Sequence, residues 1–232
     1  MFEKQLNLYD CNNCLFKLIT CQFVEENEFE TIRRASIPLH FKKGETIFKQ
    51  GTKSTHLVFL HKGIVKFMYQ SESEKPFITS IVKGTKLLGA ANLFFQETNI
   101  FSLVAIEDCD ICLIDHRLLR DLAAEHGNLM LALAERTVEM FQSSILNFIS
   151  LAKKQVNGRI ADILIYLWEY VYKDSEYPFE LSRKEIAEFA ACSYENVIIT
   201  LSRFNKDGII TLNGRRIIIN DLGKLNVISK RG

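Results

Sequence analysis

Phe179-Glu180-Leu181-Ser182-Arg183-Lys184-Glu185-Ile186-Ala187-Glu188-Phe189-Ala190-Ala191-Cys192-Ser193-Tyr194-Glu195-Asn196-Val197-Ile198-Ile199-Thr200-Leu201-Ser202-Arg203-Phe204-Asn205-Lys206-Asp207-Gly208 reads as two helices joined by a tight turn. Ser182 with Glu185 three residues on is a capping box, which satisfies orphan N–H groups at a helix start. Ile186, Phe189 and Ala190 give that first helix an apolar side. Ser193 is a good N-cap for the second helix, whose Val197, Leu201 and Phe204 recur at i, i+4 and i+7 and face inward. Gly208 stops it. A turn of three or four residues between them makes a helix-turn-helix. Amphipathic helix pairs are also common in ordinary cores, so the segment after Gly208 decides between the two. Ile209 to Leu212, Asn213-Gly214, then Arg215 to Asn220 reads as two β-rich runs joined by the Asn-Gly that a type I′ hairpin turn favours. That hairpin is a wing.

The order Leu-Ser-Arg-x-Glu-Ile-Ala-x-x-x-x-Cys-Ser-x-Glu-x-Val-x-x-x-Leu resembles the winged helix-turn-helix of the Crp/Fnr family of bacterial transcription regulators. The resemblance implies double-stranded DNA and RNA polymerase as partners, and a homodimer whose two-fold axis matches a palindromic operator with half-sites about 34–36 Å apart. With Val197, Leu201 and Phe204 inward, the outward arc of the second helix is Glu195, Asn196, Ile199, Ser202 and Arg203. Ser193 and Tyr194, and Ser182 with Arg183, lie at helix N-termini, where backbone N–H groups meet phosphates. By resemblance Glu195 is the base-reading Glu, which accepts from a cytosine amino group, and Arg183 is expected to contact a phosphate. The family's guanine-reading Arg aligns with Ile199. An aliphatic side chain there can contact a thymine methyl, so the expected half-site is richer in A/T than the family's ordinary one.

At 232 residues and 47% hydrophobic content the chain can bury two cores of ordinary size. It contains no run of eighteen apolar residues, and its N-terminus is acidic and polar where a signal peptide would be basic and then apolar, so a cytoplasmic protein is expected. The formal net charge of +1 excludes a general polyanion binder. From Lys153 onward, however, 13 Lys and Arg stand against 10 Asp and Glu, a weak bias toward nucleic acid. Catalysis is disfavoured: His40, His56, His61, His116 and His126 are scattered, and there is no nucleotide loop, Gly-x-Ser-x-Gly or His-Glu-x-x-His.

A short helix is expected from Glu25 to Arg34. The pattern then becomes all-β, with runs at Glu45–Phe48, His56–His61, Ile64–Tyr69, Phe77–Val82, Ile100–Ala105 and Asp110–Asp115, punctuated by Gly44, Gly51, Gly63, Gly84 and Gly89. This is the spacing of a small antiparallel barrel or double-sheet roll, with the glycines supplying positive φ at tight turns. Lys-Lys-Gly-Glu-Thr-Ile-Phe-Lys-Gln-Gly and His-Leu-Val-Phe-Leu-His-Lys-Gly look like the same family's cyclic-nucleotide-binding β-roll. Members that bind cyclic AMP hold its phosphate with a Gly-Glu pair and an Arg followed by a small hydroxyl residue. Here Gly89 is followed by Ala90, Ala91, Asn92 and Leu93, and the later segment offers Phe101 and Ser102 but no Arg. Burying a phosphate beside Phe94, Phe95, Ile100 and Phe101 without a counter-charge costs several kcal/mol, so cyclic AMP is not expected as effector.

Leu131, Ala134, Val138, Phe141, Ile145, Phe148 and Ala152 alternate by three and four within a helix expected over 128–154. That a/d seam, about 33 Å long at ~1.5 Å per residue, marks a two-stranded coiled coil. Val156 to Tyr172 then reads as the first core helix of a C-terminal domain. The expected organisation is α+β: a cysteine-containing segment (1–24), a β-roll (25–127), the dimerisation helix (128–154) and the winged helix-turn-helix (155–232). A signal in the roll could act by shifting the seam and hence the spacing of the two recognition helices.

Six cysteines in a reducing compartment are read for metal or redox chemistry. Cys192, at the helix-turn-helix turn, is expected as a small buried residue. Cys11, Cys14 and Cys21 give C-x2-C-x6-C in a segment that looks too irregular to hold them as core filler. Oxygen-sensing members of the family hold a [4Fe-4S] cluster with three such cysteines and a fourth in the roll. The matching run Ala105-Ile106-Glu107-Asp108-Cys109-Asp110-Ile111-Cys112-Leu113-Ile114 puts Cys112 on the fourth ligand, with Cys109 as a competitor and one residue too many in the second gap of the triplet. The alternatives are a structural zinc site, for which C-x2-C is half the usual signature, or free thiols with a small apolar effector or none.

Overall fold

The computed structural model describes residues 14–72, 75–93, 98–172 and 179–232. Cys11, Phe94 and Phe95 therefore lie outside the described residues. None of the described helices is long and apolar enough to cross a membrane.

The chain divides into two compact units, Met1–Lys66 with Lys83–Phe141, and Phe67–Val82 with Gln142–Gly232. In the first, the segment expected to be irregular holds a regular helix, α1 (Leu15–Thr20), with Cys14 and Cys21 at its two ends. Then comes α2 (Glu26–Ala35), opened by a capping box between Glu25 and Glu28. The strands of the roll, of which β4 from Phe67 onward and β5 up to Val82 fall in the second unit, are β1 (Ile37–Phe41), β2 (Thr46–Phe48), β3 (His56–Lys62), β4 (Ile64–Tyr69), β5 (Phe77–Lys83), β6 (Lys86–Leu88), β7 (Ser102–Ala105) and β8 (Cys109–Asp115). They form two four-stranded sheets ordered β1-β8-β3-β6 and β2-β7-β4-β5, the double-sheet roll expected. Gly84 departs from the expectation, having no positive φ. Its missing side chain serves close approach instead, because a Cβ there would lie 3.0 Å from the His61 carbonyl oxygen.

β3 is buried along Leu57–Leu60, because both of its faces are covered. Leu57 and Phe59, facing Ile114 and Cys112 across the ladder, point to one side; Val58 and Leu60, beside Leu113 and Ile111, point to the other. The first side packs in one cluster with Phe16 of α1, Phe29 and Ile32 of α2, and Leu119 and Leu122 of α3 (His116–Glu125). Asp115 ends β8 and caps α3, its carboxylate accepting from the N–H groups of Arg117 and Leu118. Helix α4 (Gly127–Lys153) then begins, sending Leu129 and Leu133 into the same cluster.

In the second unit, α5 runs from Val156 to Tyr166, and the chain widens into a π turn at Leu167–Tyr172 rather than continuing as one α-helix. β9 (Phe179–Glu180), α6 (Arg183–Ala190), α7 (Tyr194–Lys206), β10 (Ile210–Asn213), β11 (Arg216–Ile219) and α8 (Leu222–Arg231) complete it. β10, β11 and β9 make a three-stranded antiparallel sheet. The wing turn is Gly214-Arg215, since Asn213 pairs with Arg216, and not the type I′ Asn213-Gly214 expected. With positive φ at Gly214 and not at Arg215, glycine sits at the first central position, as a type II′ turn requires. Asp162 of α5 accepts from Ser150, from Lys154 (2.8 Å) and from Ser229 of α8, which joins the last turn of α4 to the C-terminal helix.

Candidate nucleic-acid interface and cysteine site

The two helices start as their caps dictate. The Ser182 hydroxyl accepts from Glu185 N–H (3.1 Å) while the Glu185 carboxylate accepts from Ser182 N–H (2.9 Å), and the Ser193 hydroxyl accepts from Asn196 N–H (3.2 Å). Between them Ala191 takes a left-handed conformation, φ 45°, uncommon for a residue with a side chain. Arg159 of α5 fixes it: one guanidinium nitrogen donates to the carbonyls of Ala190 and Ala191, both at 3.2 Å. These are the orphan carbonyls at the end of α6, so the cation also meets the negative end of that helix. Cys192 is half-buried there rather than buried, because the turn lies at the edge of the core and not beneath it. Burial still pushes its thiol pKa up.

Val197, Thr200, Leu201 and Phe204 bury the inner face of α7. The expected arc is open on the other side: Tyr194, Glu195, Asn196, Ile199, Ser202 and Arg203 are all exposed. Ile198, three residues after Glu195 and missed by the heptad-style spacing of the inward residues, shares that face and is 45% exposed beside Ile199 at 59%. Two bare isoleucines and a carboxylate on one helix face form a surface that packs on methyl groups and accepts from amino groups. The Glu195 carboxyl is held below its usual pKa by its own backbone N–H and by Ser193, so it is an acceptor at neutral pH.

Arg183, expected to contact a phosphate, also has a role within the fold. Its guanidinium reaches the wing tip, donating to the carbonyls of Gly214 (2.9 Å) and Arg215 (3.4 Å). Partial burial lowers its pKa without removing its charge. It lies where a phosphate contact was expected, and two of its five N–H donors are engaged by the wing. Because Arg183 holds the wing backbone that carries the Arg215 side chain, the losses of duplex affinity in Arg183→Ala and Arg215→Ala should be non-additive in a double-mutant cycle read by fluorescence anisotropy, where independent phosphate contacts would add.

In the roll, Gly89 turns the chain into a short 3-10 turn, Ala90–Leu93, in which Ala90 and Leu93 are buried. Asn92 donates to the Ser54 hydroxyl (2.7 Å) and to the Asn99 side-chain oxygen (3.2 Å), and Asn99 donates to the Thr52 hydroxyl (3.1 Å). The Ser102 hydroxyl accepts from Gln50 N–H (3.0 Å), and Phe101 is half-buried. These polar side chains are neutral and bonded to one another or to backbone.

The cysteines separate by face. Cys112 lies on the outer face of the first sheet, opposite Phe59, and with Cys14 and Cys21 it packs half-buried against the cluster of Phe16, Phe29 and Phe59. Cys109 lies three residues earlier and so on the other face of β8. It is fully buried, its thiol donates to the carbonyls of Glu107 (3.1 Å) and Ile64 (3.4 Å), and burial pushes its pKa up to about 11. Three of the four expected thiols thus share one apolar wall, and the competitor is turned away from it. The expected irregularity around them was misplaced: α1 packs Phe16 against Phe29 and Phe59, with ring centroids 5.7 and 5.3 Å apart, so Cys14 and Cys21 ride on an ordered element.

On α4 the seam residues Leu131, Val138, Phe141, Ile145, Phe148 and Ala152 are exposed, and Ala134 is partly so, while Leu129 and Leu133 face the core. Phe141 is 65% and Phe148 69% exposed, unusual for large apolar side chains.

Two family models match the chain, a cyclic nucleotide-binding domain over residues 38–126 and a Crp-like helix-turn-helix domain over residues 158–228. The chain is 24% identical over 94% of its length to the anaerobic regulatory protein of Aggregatibacter actinomycetemcomitans, covering 87% of it. It is 25% identical, again over 94% of its length, to the transcriptional activator protein anr of Pseudomonas aeruginosa, covering 90% of it. Among solved structures it resembles FixK2 from Bradyrhizobium japonicum, with a TM-score of 0.75 at 18% identity, covering 83% of this chain and 96% of that one. It also resembles the c-di-GMP responsive global regulator CLP of Xanthomonas campestris, with a TM-score of 0.71 at 18% identity, covering 84% of this chain and 99% of that one.

Proposed function

Because the chain belongs to the Crp/Fnr family of transcription regulators, whose members bind DNA through the helix-turn-helix and are not enzymes, we propose that it acts as a homodimer on a palindromic operator with an A/T-rich half-site. The observation that carries this reading is the exposed face of α7, where Ile199 stands in the place of a base-reading Arg and Glu195 presents an ionised carboxylate. Each good base contact is worth about 1–3 kcal/mol of discrimination, so replacing a guanine reader by an aliphatic side chain moves the preferred base at that position. The exposed seam of α4 supports the dimer, with Phe141 and Phe148 meeting their symmetry mates across the two-fold axis. RNA polymerase is the partner that a DNA-bound regulator of this family would engage.

Selection of bound sequences from random duplexes tests the reading. An inverted repeat enriched in A/T at the position facing Ile199 is the expected result, and recovery of the family's ordinary guanine-containing half-site would contradict it. Glu195→Ala should relax selectivity at one base pair per half-site, with about 1–3 kcal/mol less discrimination there.

For the signal we propose a [4Fe-4S] cluster that Cys11, Cys14, Cys21 and Cys112 would hold and that would supply oxygen-sensitive redox chemistry. Support comes from Cys14, Cys21 and Cys112 each packing against the same apolar cluster. What the chain's own residues do is couple that wall to the long helix: Leu129 and Leu133 of α4 pack into the same cluster, and His126 bonds through Nε2 to Glu28 of α2 (2.8 Å). A change in how α1 sits therefore reaches the base of α4 through packed side chains. Cyclic AMP is not part of the proposal, since the Asn92–Ser54–Asn99–Thr52 network is built of neutral side chains.

A further inference from the structure

The hairpin segment Phe67–Val82, although its strands belong to the roll, belongs to the same compact unit as the DNA-binding elements. β5 is the edge strand of its sheet, and an edge strand presents carbonyls without ladder partners. The Tyr166 hydroxyl, on the last residue of α5, donates to the Ile81 carbonyl of β5 at 2.7 Å. The same ring packs edge-on against Phe189 of α6, with centroids 5.9 Å apart and planes at 79°, and lies 5.5 Å from the ring of Tyr170. One side chain therefore touches the hairpin with its hydroxyl and the first helix of the helix-turn-helix with its ring. The α-helix gives way to a π turn immediately after it, at Leu167–Tyr172, and π turns often mark functional positions in a helix.

We propose that Tyr166 is a positioning residue for DNA binding: it pins the β4–β5 hairpin to α5 and α6, so that the hairpin holds the helix-turn-helix in one orientation relative to the end of α4. Fixing that orientation before DNA arrives spares the ordering cost of binding, since two recognition helices must meet their half-sites at one spacing.

Tyr166→Phe separates the two halves of the contact, keeping the ring on Phe189 and removing only the hydroxyl. With full-length protein, hydrogen exchange should rise in both β5 and α6, the melting temperature should stay close to that of the parent, and affinity for the selected operator should fall about fivefold, the factor that one ordinary hydrogen bond confers. The exchange readout needs no DNA, so it stands apart from the operator assignment. Unchanged exchange in β5 and α6 would overturn the proposal. So would faster exchange in β5 alone with operator affinity within twofold of the parent, because the bond would then exist without positioning anything. Tyr166→Ala, which also removes the ring, should exceed Tyr166→Phe in both readouts if it folds; Tyr166→Phe decides the question if it does not.

Discussion

Replacing Phe141 and Phe148 together with Lys should convert a dimer into a monomer and abolish operator binding in the same step. Full burial of a Phe side chain is worth about 1.5–3 kcal/mol, and a two-fold axis buries four such rings, so the low end is about 6 kcal/mol. At 1.4 kcal/mol per factor of ten, the dimer constant falls by about four orders of magnitude before the new like charges are considered. The monomer itself should fold normally, because both positions are exposed on α4 while Leu129 and Leu133 hold its first turns to the core. Light scattering gives the mass, circular dichroism the helix content, and anisotropy with an operator duplex the binding. A double variant that remained dimeric would place the interface elsewhere.

Cys112→Ser should remove iron and acid-labile sulfide from anaerobically purified protein, and Cys109→Ala should leave both unchanged. The difference arises from the two faces of β8. Cys112 shares a wall with Cys14 and Cys21, whereas Cys109 is turned inward and donates to two backbone carbonyls. Only the thiolate ligates a metal or attacks an alkylating agent. With its pKa raised to about 11, Cys109 stays protonated across the neutral range and gains reactivity only as the pH approaches that value. Mass spectrometry after brief treatment with iodoacetamide should find Cys109 unmodified at pH 7 to 9 in native protein and modified once the chain is denatured. Iron retained in full by Cys112→Ser, or colourless parent protein without iron, would refute the cluster assignment.

The parts of this molecule that were legible in sequence are those whose information is local. The capping box at Ser182 and Glu185, the cap at Ser193 and the three-and-four spacing on α4 each occupy a few consecutive turns, and each fixes a face or a start without help from elsewhere. What escaped depends on partners far along the chain. β1 carries Pro38 and looks unlike a strand alone, yet it pairs with β8 some seventy residues on. The wing turn shifted by one residue because cross-strand pairing of Asn213 with Arg216, and not the turn dipeptide, set the register. Helix α3 was hidden because Asp115 serves at once as the end of a strand and as an N-cap. Arg159 and Arg183 carried no motif for their work. Each satisfies backbone carbonyls some thirty residues away, contacts that only the folded chain brings together.

The partition of β8 into an inner and an outer side makes the cysteine-bearing layer and the scaffold separable. Cys109 and Ile111 belong to the fabric of the roll, whereas Cys112 meets α1 and α2, an outer coat laid over a sheet whose strand pairing does not need it. Residues of that coat can be exchanged without rewriting the ladder beneath. Such a chain can vary its outer coat while keeping the roll beneath it and the helix-turn-helix that binds DNA.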